Sequence, residues 1–277
     1  MGFQAKPRKR FGQHWLRSDV ILQKIVAAAA LSPADAVLEI GPGTGALTGQ
    51  LLTQAGTVTA VEVDRDLCTA LRSRYAGRDQ FLLLEGDILR LDWRAAIAAQ
   101  QRPQPNKVVA NIPYYITGPI LERLLGTIAQ PNPNPFDAIV LLVQREVADR
   151  LCATPDSKTF GALTVKVQYL ADCELVCPVP AKAFHPPPKV ESAVICLRPR
   201  PHPAIAQDPN HLQQLVNLGF ASKRKMLRNN LASILDRDAL FDLFRSLQIP
   251  ETVRAENLSI ENWVALSNKM LEDAHGV

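Results

Sequence analysis

The sequence predicts a doubly wound α/β sheet followed by a small all-helical domain. Three observations carry this expectation. Residues 1–200 alternate short apolar β-type runs with helical stretches, the pattern of a sheet covered by helices. Residues 136–143 form a nearly continuous apolar run, as a parallel strand buried on both faces requires. Beyond the proline-rich stretch 198–209, which stops both helix and ladder, every periodic segment is helical. The boundary therefore falls between a domain at 1–200 and a helical domain at 201–277.

The elements follow in order. Residues 36–40 read as a strand ending in a glycine turn, and 46–54 as a helix. Residues 57–63 are the next strand and 65–74 the next helix. Strands at 80–84 and 107–111 end at Asp87 and at Asn111-Ile-Pro-Tyr114. Residues 147–151 and 162–170 look helical. Two late strands at 174–179 and 192–198, joined by the loop 180–190, suggest an antiparallel pair at one sheet edge. The tail offers amphipathic helices at 211–220, 223–235, 239–247 and 260–272, the last with Ser259 as N-cap.

Composition narrows the class. The chain has 277 residues, 47% of them hydrophobic and 21% charged, as in ordinary globular proteins. No apolar run approaches the roughly 20 residues of a membrane span, and no cleavable signal pattern follows the basic start. Five scattered cysteines argue against a disulfide framework and for a reducing cytosol. Cys173 and Cys177 lack a second pair of ligands, so buried thiols are expected there and no metal. The net charge is +4, and residues 1–19 carry all of it, since Lys6, Arg8, Lys9, Arg10 and Arg17 face only Asp19.

Glu39-Ile-Gly-Pro-Gly-Thr-Gly45 follows a strand and opens a helix. Glycine lets a ligand approach bare backbone there. With Glu62 ending the next strand as an acceptor for ribose hydroxyls, the turn suits a nicotinamide dinucleotide or S-adenosylmethionine equally. The next strand ends decide between them. Asp87 can accept an exocyclic adenine amine. The Asn111 amide oxygen and the carbonyl preceding Pro113 are two acceptors on a rigid turn, able to bind both hydrogens of an aromatic amine. Tyr114 offers a face for a base taken out of its stack. A dehydrogenase has no use for that arrangement, whereas methyl transfer to adenine N6 does.

The sequence resembles the bacterial small-subunit (16S) ribosomal RNA adenine N6,N6-dimethyltransferases, with the erythromycin-resistance methyltransferases as close cousins. The resemblance rests on Phe11-Gly-Gln-His-Trp-Leu16, the glycine turn, Val61-Glu-Val-Asp64, Glu85-Gly-Asp87, Asn111-Ile-Pro-Tyr114, Phe184-His-Pro-Pro-Pro-Lys-Val190 and the stretch from Phe220 to Leu231. It implies a Rossmann-like S-adenosylmethionine-dependent methyltransferase sheet with a small all-helical C-terminal domain. It implies that His14, Leu16, Gly41, Glu62, Asp87, Ile88 and Asn111 border the methyl donor. It further implies that Asn111 and Tyr114 hold the target adenine while Phe184 stacks on its other face. Many relatives carry Asn in place of His14 and Phe in place of Trp15.

Two basic clusters fit an RNA partner. Lys6, Arg8, Lys9 and Arg10 form one; Lys223, Arg224, Lys225 and Arg228 form the other, on an expected helix, and Lys189 adds a charge beside Phe184. Such residues neutralise phosphates. The resemblance implies a monomeric cytoplasmic enzyme that dimethylates two adjacent adenosines in a hairpin near the 3′ end of small-subunit rRNA, on the immature 30S subunit. A large-subunit methyltransferase of the antibiotic-resistance type and a non-catalytic RNA-binding assembly factor are the rival readings.

Overall fold

The computed structural model describes residues 7–8 and 11–275. The chain begins with β1 (Trp15–Leu16) and α1 (Asp19–Ala29). It continues through β2 (Ala36–Ile40), α2 (Ala46–Leu51), β3 (Thr57–Glu62), α3 (Arg65–Arg74), β4 (Phe81–Glu85), α4 (Trp93–Ala99) and β5 (Lys107–Asn111). There follow α5 (Thr117–Leu125), β6 (Ala138–Gln144), α6 (Arg145–Leu151), α7 (Ala162–Leu170), β7 (Ala171–Val179), β8 (Phe184–His185) and β9 (Ser192–Pro199). The tail holds α8 (Pro209–Gly219), α9 (Leu227–Leu231), α10 (Arg237–Ser246) and α11 (Ile260–His275).

Seven strands form one sheet in the order β4-β3-β2-β5-β6-β9-β7. The β4, β3, β2, β5 and β6 strands run parallel, and β9 pairs antiparallel with β6. The expected α/β architecture is therefore observed, with β9 and β7 as neighbours at one edge. From β2 the chain winds first to β3 and β4, then returns to β5 and β6 on the other side. That reversal makes β2 and β5 the switch point of the sheet, where strand ends leave a crevice for ligands.

One hydrophobic core gathers Ile25 and Val26 of α1, Leu51 of α2, and Val140 and Val194 of the sheet. At the opposite ends of the strands, the buried Asp35 ties β2 to β5. Its carboxylate accepts from the Ser32 N–H at 2.7 Å, the Asn106 amide at 2.8 Å and the Lys107 ammonium at 3.1 Å. Burial alone would raise this carboxyl, but the donors win and hold it at about 2.

The molecule divides into two compact units. The first comprises residues 1–124, 134–148 and 174–199 and carries most of the sheet. The second is larger than the tail expected at 201–277, because 125–133 and 149–173 belong with 200–277. The reason is apolar: Ile128, Phe160 and Val165 share one core with Leu212, Phe244 and Trp263. In that unit Asp208 caps α8 by accepting the Asn210 N–H at 2.8 Å, with Pro209 at the first helical position. Ser259 caps α11 through the Asn262 N–H at 3.2 Å. The helix expected over 223–235 shrinks to α9. Residues 221–225 are turns and bends instead, and Asn230 donates to the carbonyls of Gly219 and Ser222 across them.

Candidate active site

The ends of four parallel strands converge on a cavity of about 310 Å³. His14, Gly41, Glu62, Asp87, Ile88, Asn111 and Tyr114, which the sequence scatters over a hundred residues, all line it. The parallel register explains this convergence. Strands β2, β3, β4 and β5 run the same way, so their C-terminal ends meet at one edge.

The glycine turn takes left-handed backbone at Gly41 (φ 67°), Gly43 (φ 59°) and Gly45 (φ 82°), which explains its composition. A Cβ on Gly43 would stand 3.2 Å from the Trp15 ring, and one on Gly45 would stand 2.9 Å from Leu71. Glu62 is buried at the end of β3. Its Oε1 accepts the N–H groups of Val63 and Asp64, both at 2.9 Å, and Oε2 accepts that of Gly43 at 3.1 Å. Burial nevertheless pushes its carboxyl above the usual range. The three donors aim the group, and Oε2 keeps acceptor capacity for a hydroxyl. Asp87 is half-buried; its Oδ1 accepts the Leu89 N–H at 2.9 Å, and its Oδ2 lies 3.8 Å from the Arg90 guanidinium.

Asn111 ends β5 with a fixed amide. Its Nδ2 donates to the His14 carbonyl at 3.2 Å, which leaves Oδ1 as the acceptor side. His14 is held in turn. Its Nδ1 lies 2.7 Å from the Pro186 carbonyl, and since a carbonyl only accepts, Nδ1 carries the proton. The His14 and Tyr114 rings lie nearly parallel, 15° apart with centroids at 6.2 Å. The Tyr114 hydroxyl meets Ser192 Oγ at 2.5 Å, and burial raises its pKa.

Two expected residues are elsewhere. Phe184 is only 4% exposed and belongs to the hydrophobic core, not to the cavity lining. The antiparallel pair of β1 with β8 sets Leu16 opposite Phe184 and turns both inward. Leu16 lines a small recess next to the cavity, one that shares Gly41, Gly43 and Asn111 with it. Among residues that sequence reasoning missed, Phe11 and Tyr115 line the cavity, and Tyr115 is 64% exposed. The scarcity of aromatics, 6% of the chain, was the signal available for them.

The basic residues divide. Lys6, Lys9 and Arg10 lie outside the described residues. Arg8 is not a free cation for RNA, because it is ion-paired with Asp64 at 2.9 Å and with Asp66. Lys189 is exposed. In the second unit Lys223 donates to the Lys158 carbonyl and lies 3.8 Å from Glu256. The Arg228 guanidinium lies over the Phe241 ring at 5.7 Å. Arg224 and Lys225 are exposed on the turn, with no ion-pair partner among the described residues. No group of three or more His, Cys, Asp or Glu residues suited to a metal occurs among the described residues.

A buried carboxylate with acceptor capacity to spare, Glu62, stands two strands away from the Asn111 amide oxygen, which is left free to accept. One end of the sheet thus has places for a nucleoside-bearing donor and for the nitrogen that receives its group. The glycine cradle, which a Cβ would fill, and the buried but unpartnered Trp15 Nε1 suit such a donor. This sheet is that of the Rossmann-like, S-adenosylmethionine-dependent methyltransferases. Within that class the likeness is particular: the profile of the ribosomal RNA adenine dimethylases matches residues 4–272, and the chain belongs to that family. It is 60% identical over 260 residues to the ribosomal RNA small subunit methyltransferase A of Synechococcus elongatus, covering 94% of this chain and 93% of that protein. It is 58% identical over 265 residues to the protein of the same name from Trichormus variabilis, covering 95% and 98%. Among solved structures, a dimethyladenosine transferase from Plasmodium falciparum superposes with a TM-score of 0.76 at 26% identity, over 95% of this chain and 99% of that one. The 23S rRNA methyltransferase ErmE gives 0.72 at 26%, over 92% and 98%.

Proposed function

We propose that the protein methylates N6 of two adjacent adenosines in a hairpin near the 3′ end of small-subunit (16S) rRNA, giving N6,N6-dimethyladenosine during 30S assembly. The observation that carries this reading is the Asn111 amide. Its nitrogen is committed to the His14 carbonyl, so Oδ1 faces the amine to be methylated, with the Ile112 carbonyl beside it before Pro113. Two acceptors on the amine hydrogens draw the nitrogen toward sp³ and direct its lone pair outward. Bound S-adenosylmethionine supplies an electrophilic methyl on a sulfonium. Gly41, Glu62, Asp87, Ile88 and His14 hold the donor, with Leu16 at the adjoining recess. Tyr114 stacks on the adenine. The family likeness assigns the other face to Phe184, which is packed in the core beside Leu16. Catalysis is then mainly proximity and preorganised orientation, with no strong base required.

Identity of 60% with small-subunit enzymes, against 26% with the 23S enzyme, supports the small-subunit substrate. The intact amine cradle speaks against a purely binding role. The chain works as a cytoplasmic monomer, and no helix among the described residues is long and apolar enough to cross a membrane. The unit containing 200–277 contacts the ribosomal particle through Arg224, Lys225 and Arg228, and Lys189 adds a phosphate contact in the other unit. The test offers labelled S-adenosylmethionine with unmethylated small subunits, large subunits and naked RNA. Label is expected in small-subunit RNA. Label confined to large-subunit RNA overturns the substrate, and RNA binding without label anywhere overturns the chemistry.

A further inference from the structure

We propose that Phe11 to His14 form a positioning strap for the donor cavity, fastened by Arg8 and Gln13, and that Arg8 serves the methyl donor rather than the RNA. The inference rests on the reading of that cavity as the S-adenosylmethionine site.

The fastening is a closed set of contacts around one carboxylate. Arg8 Nη1 donates to Asp64 Oδ1 at 2.9 Å, and Nη2 reaches Asp66. The Gln13 side chain closes the loop, accepting the Arg8 N–H at 2.7 Å and donating to Asp64 Oδ2 at 3.1 Å. Asp64 is 3% exposed in its side chain, so a charge out of water depends on these donors together with the Asp66 N–H, which it accepts at 3.1 Å as the cap of α3. Its own N–H donates to Glu62 Oε1, so the strap is anchored on the turn that aims the ribose-type carboxylate.

The strap reaches the reacting side of the cavity at its other end. The His14 carbonyl holds the Asn111 amide, and the His14 ring is tied to Pro186. Between the two ends, Phe11, Gly12 and Gln13 form one wall of the cavity. Gly12 turns there with φ 57°, and a Cβ on it would stand 3.4 Å from the Tyr115 ring. The wall is held at one end by the Asp64 fastening, with the Phe11 N–H donating to the Arg8 carbonyl at 3.1 Å, and at the other by the His14 contacts and the β1–β8 pair. One guanidinium bridging two carboxylates is a task for arginine, since lysine offers a single point charge.

Calorimetric titration of S-adenosylmethionine into the RNA-free full chain tests this, beside the salt dependence of binding to the rRNA hairpin. Arg8→Ala is expected to weaken donor binding about tenfold, the loss of one charge-assisted contact. Arg8→Lys recovers part of it. Gln13→Glu, which sets a second carboxylate against Asp64, reproduces the loss. In turnover the KM for the donor rises more than kcat falls, the melting temperature drops because Asp64 loses its cation, saturating S-adenosylmethionine restores turnover at 25 °C, and the salt slope of RNA binding is unchanged. Wild-type donor affinity in Arg8→Ala overturns the strap, as does a fall in RNA affinity and salt slope with donor affinity intact. Failure of the wild type itself to bind S-adenosylmethionine overturns the donor reading, and the strap with it.

Discussion

Glu39 and Asn111 show how much a single side chain's surroundings decide. Glu39 lies in the middle of the sheet at 1% exposure, with the Thr48 hydroxyl donating to it at 2.6 Å. Burial pushes its carboxyl up to about 8 against the pull of that hydrogen bond. It is thus mostly protonated at neutral pH. A raised folded-state value means that its stabilisation is complete below the ordinary 4.5 and is lost as pH rises through about 8. Glu39→Gln should therefore melt like the wild type at pH 4 and above it at pH 9, in thermal scans at the two values. Asn111 makes a different prediction. Asn111→Ala removes the acceptor but none of the donor's other contacts, so transfer should fall at least a hundredfold while calorimetry still detects donor binding. Loss of donor binding in that variant would give Asn111 a different main role. The sequence marked both residues as parts of motifs. It revealed neither the burial of Glu39 nor the commitment of the Asn111 nitrogen to His14, because both depend on neighbours many residues away.

Elements differ in how far their own residues declare them. The parallel strands declare themselves through continuous apolar runs; β2 to β5 begin within a residue of their expected places and β6 two residues late, at Ala138. Strands β1 and β8 do not, since two residues have no periodicity, and their pairing spans the length of the first unit. That pairing turns Phe184 into the core and sets Leu16 at the recess that adjoins the cavity at Gly41 and Asn111. The 223–235 helix fails for a local reason: Lys223, Arg224 and Lys225 crowd like charges into one turn, and Asn230 caps the preceding carbonyls instead. At the base of the sheet, Asp35 joins β2 to β5 through Lys107, which is itself 13% exposed in its side chain. Asp35→Ala leaves that ammonium buried without its carboxylate and should cost about 3 kcal/mol at pH 7, measured by urea unfolding. A depressed carboxylate stabilises above its ordinary value and loses that effect as pH falls through about 2. The gap between wild type and variant should accordingly close between pH 4 and 2.

Across the whole molecule, net charge understates the basic surface. The +4 of the sequence sits on the N-terminal arm, yet the described part of that arm uses Arg8 internally. In the second unit Lys223 is shared with Glu256, which leaves Arg224 and Lys225 as the exposed cations of their turn. Replacing both with alanine should lower the salt slope of RNA binding by about 1.5, near the value for two phosphate contacts, with donor affinity unchanged. An unchanged slope would return the turn to an ordinary solvated surface. By itself the sequence determined the class of fold, the glycine turn, the acceptor pair at Asn111 to Pro113 and the family, because these depend on local periodicity and short contiguous motifs. Only the tertiary structure decided that Arg8 is paired, that Phe184 is packed inward, and that 125–133 and 149–173 join the helical tail. Each of these depends on which distant group arrives to neutralise a charge or cover an apolar face, and no local spacing encodes that.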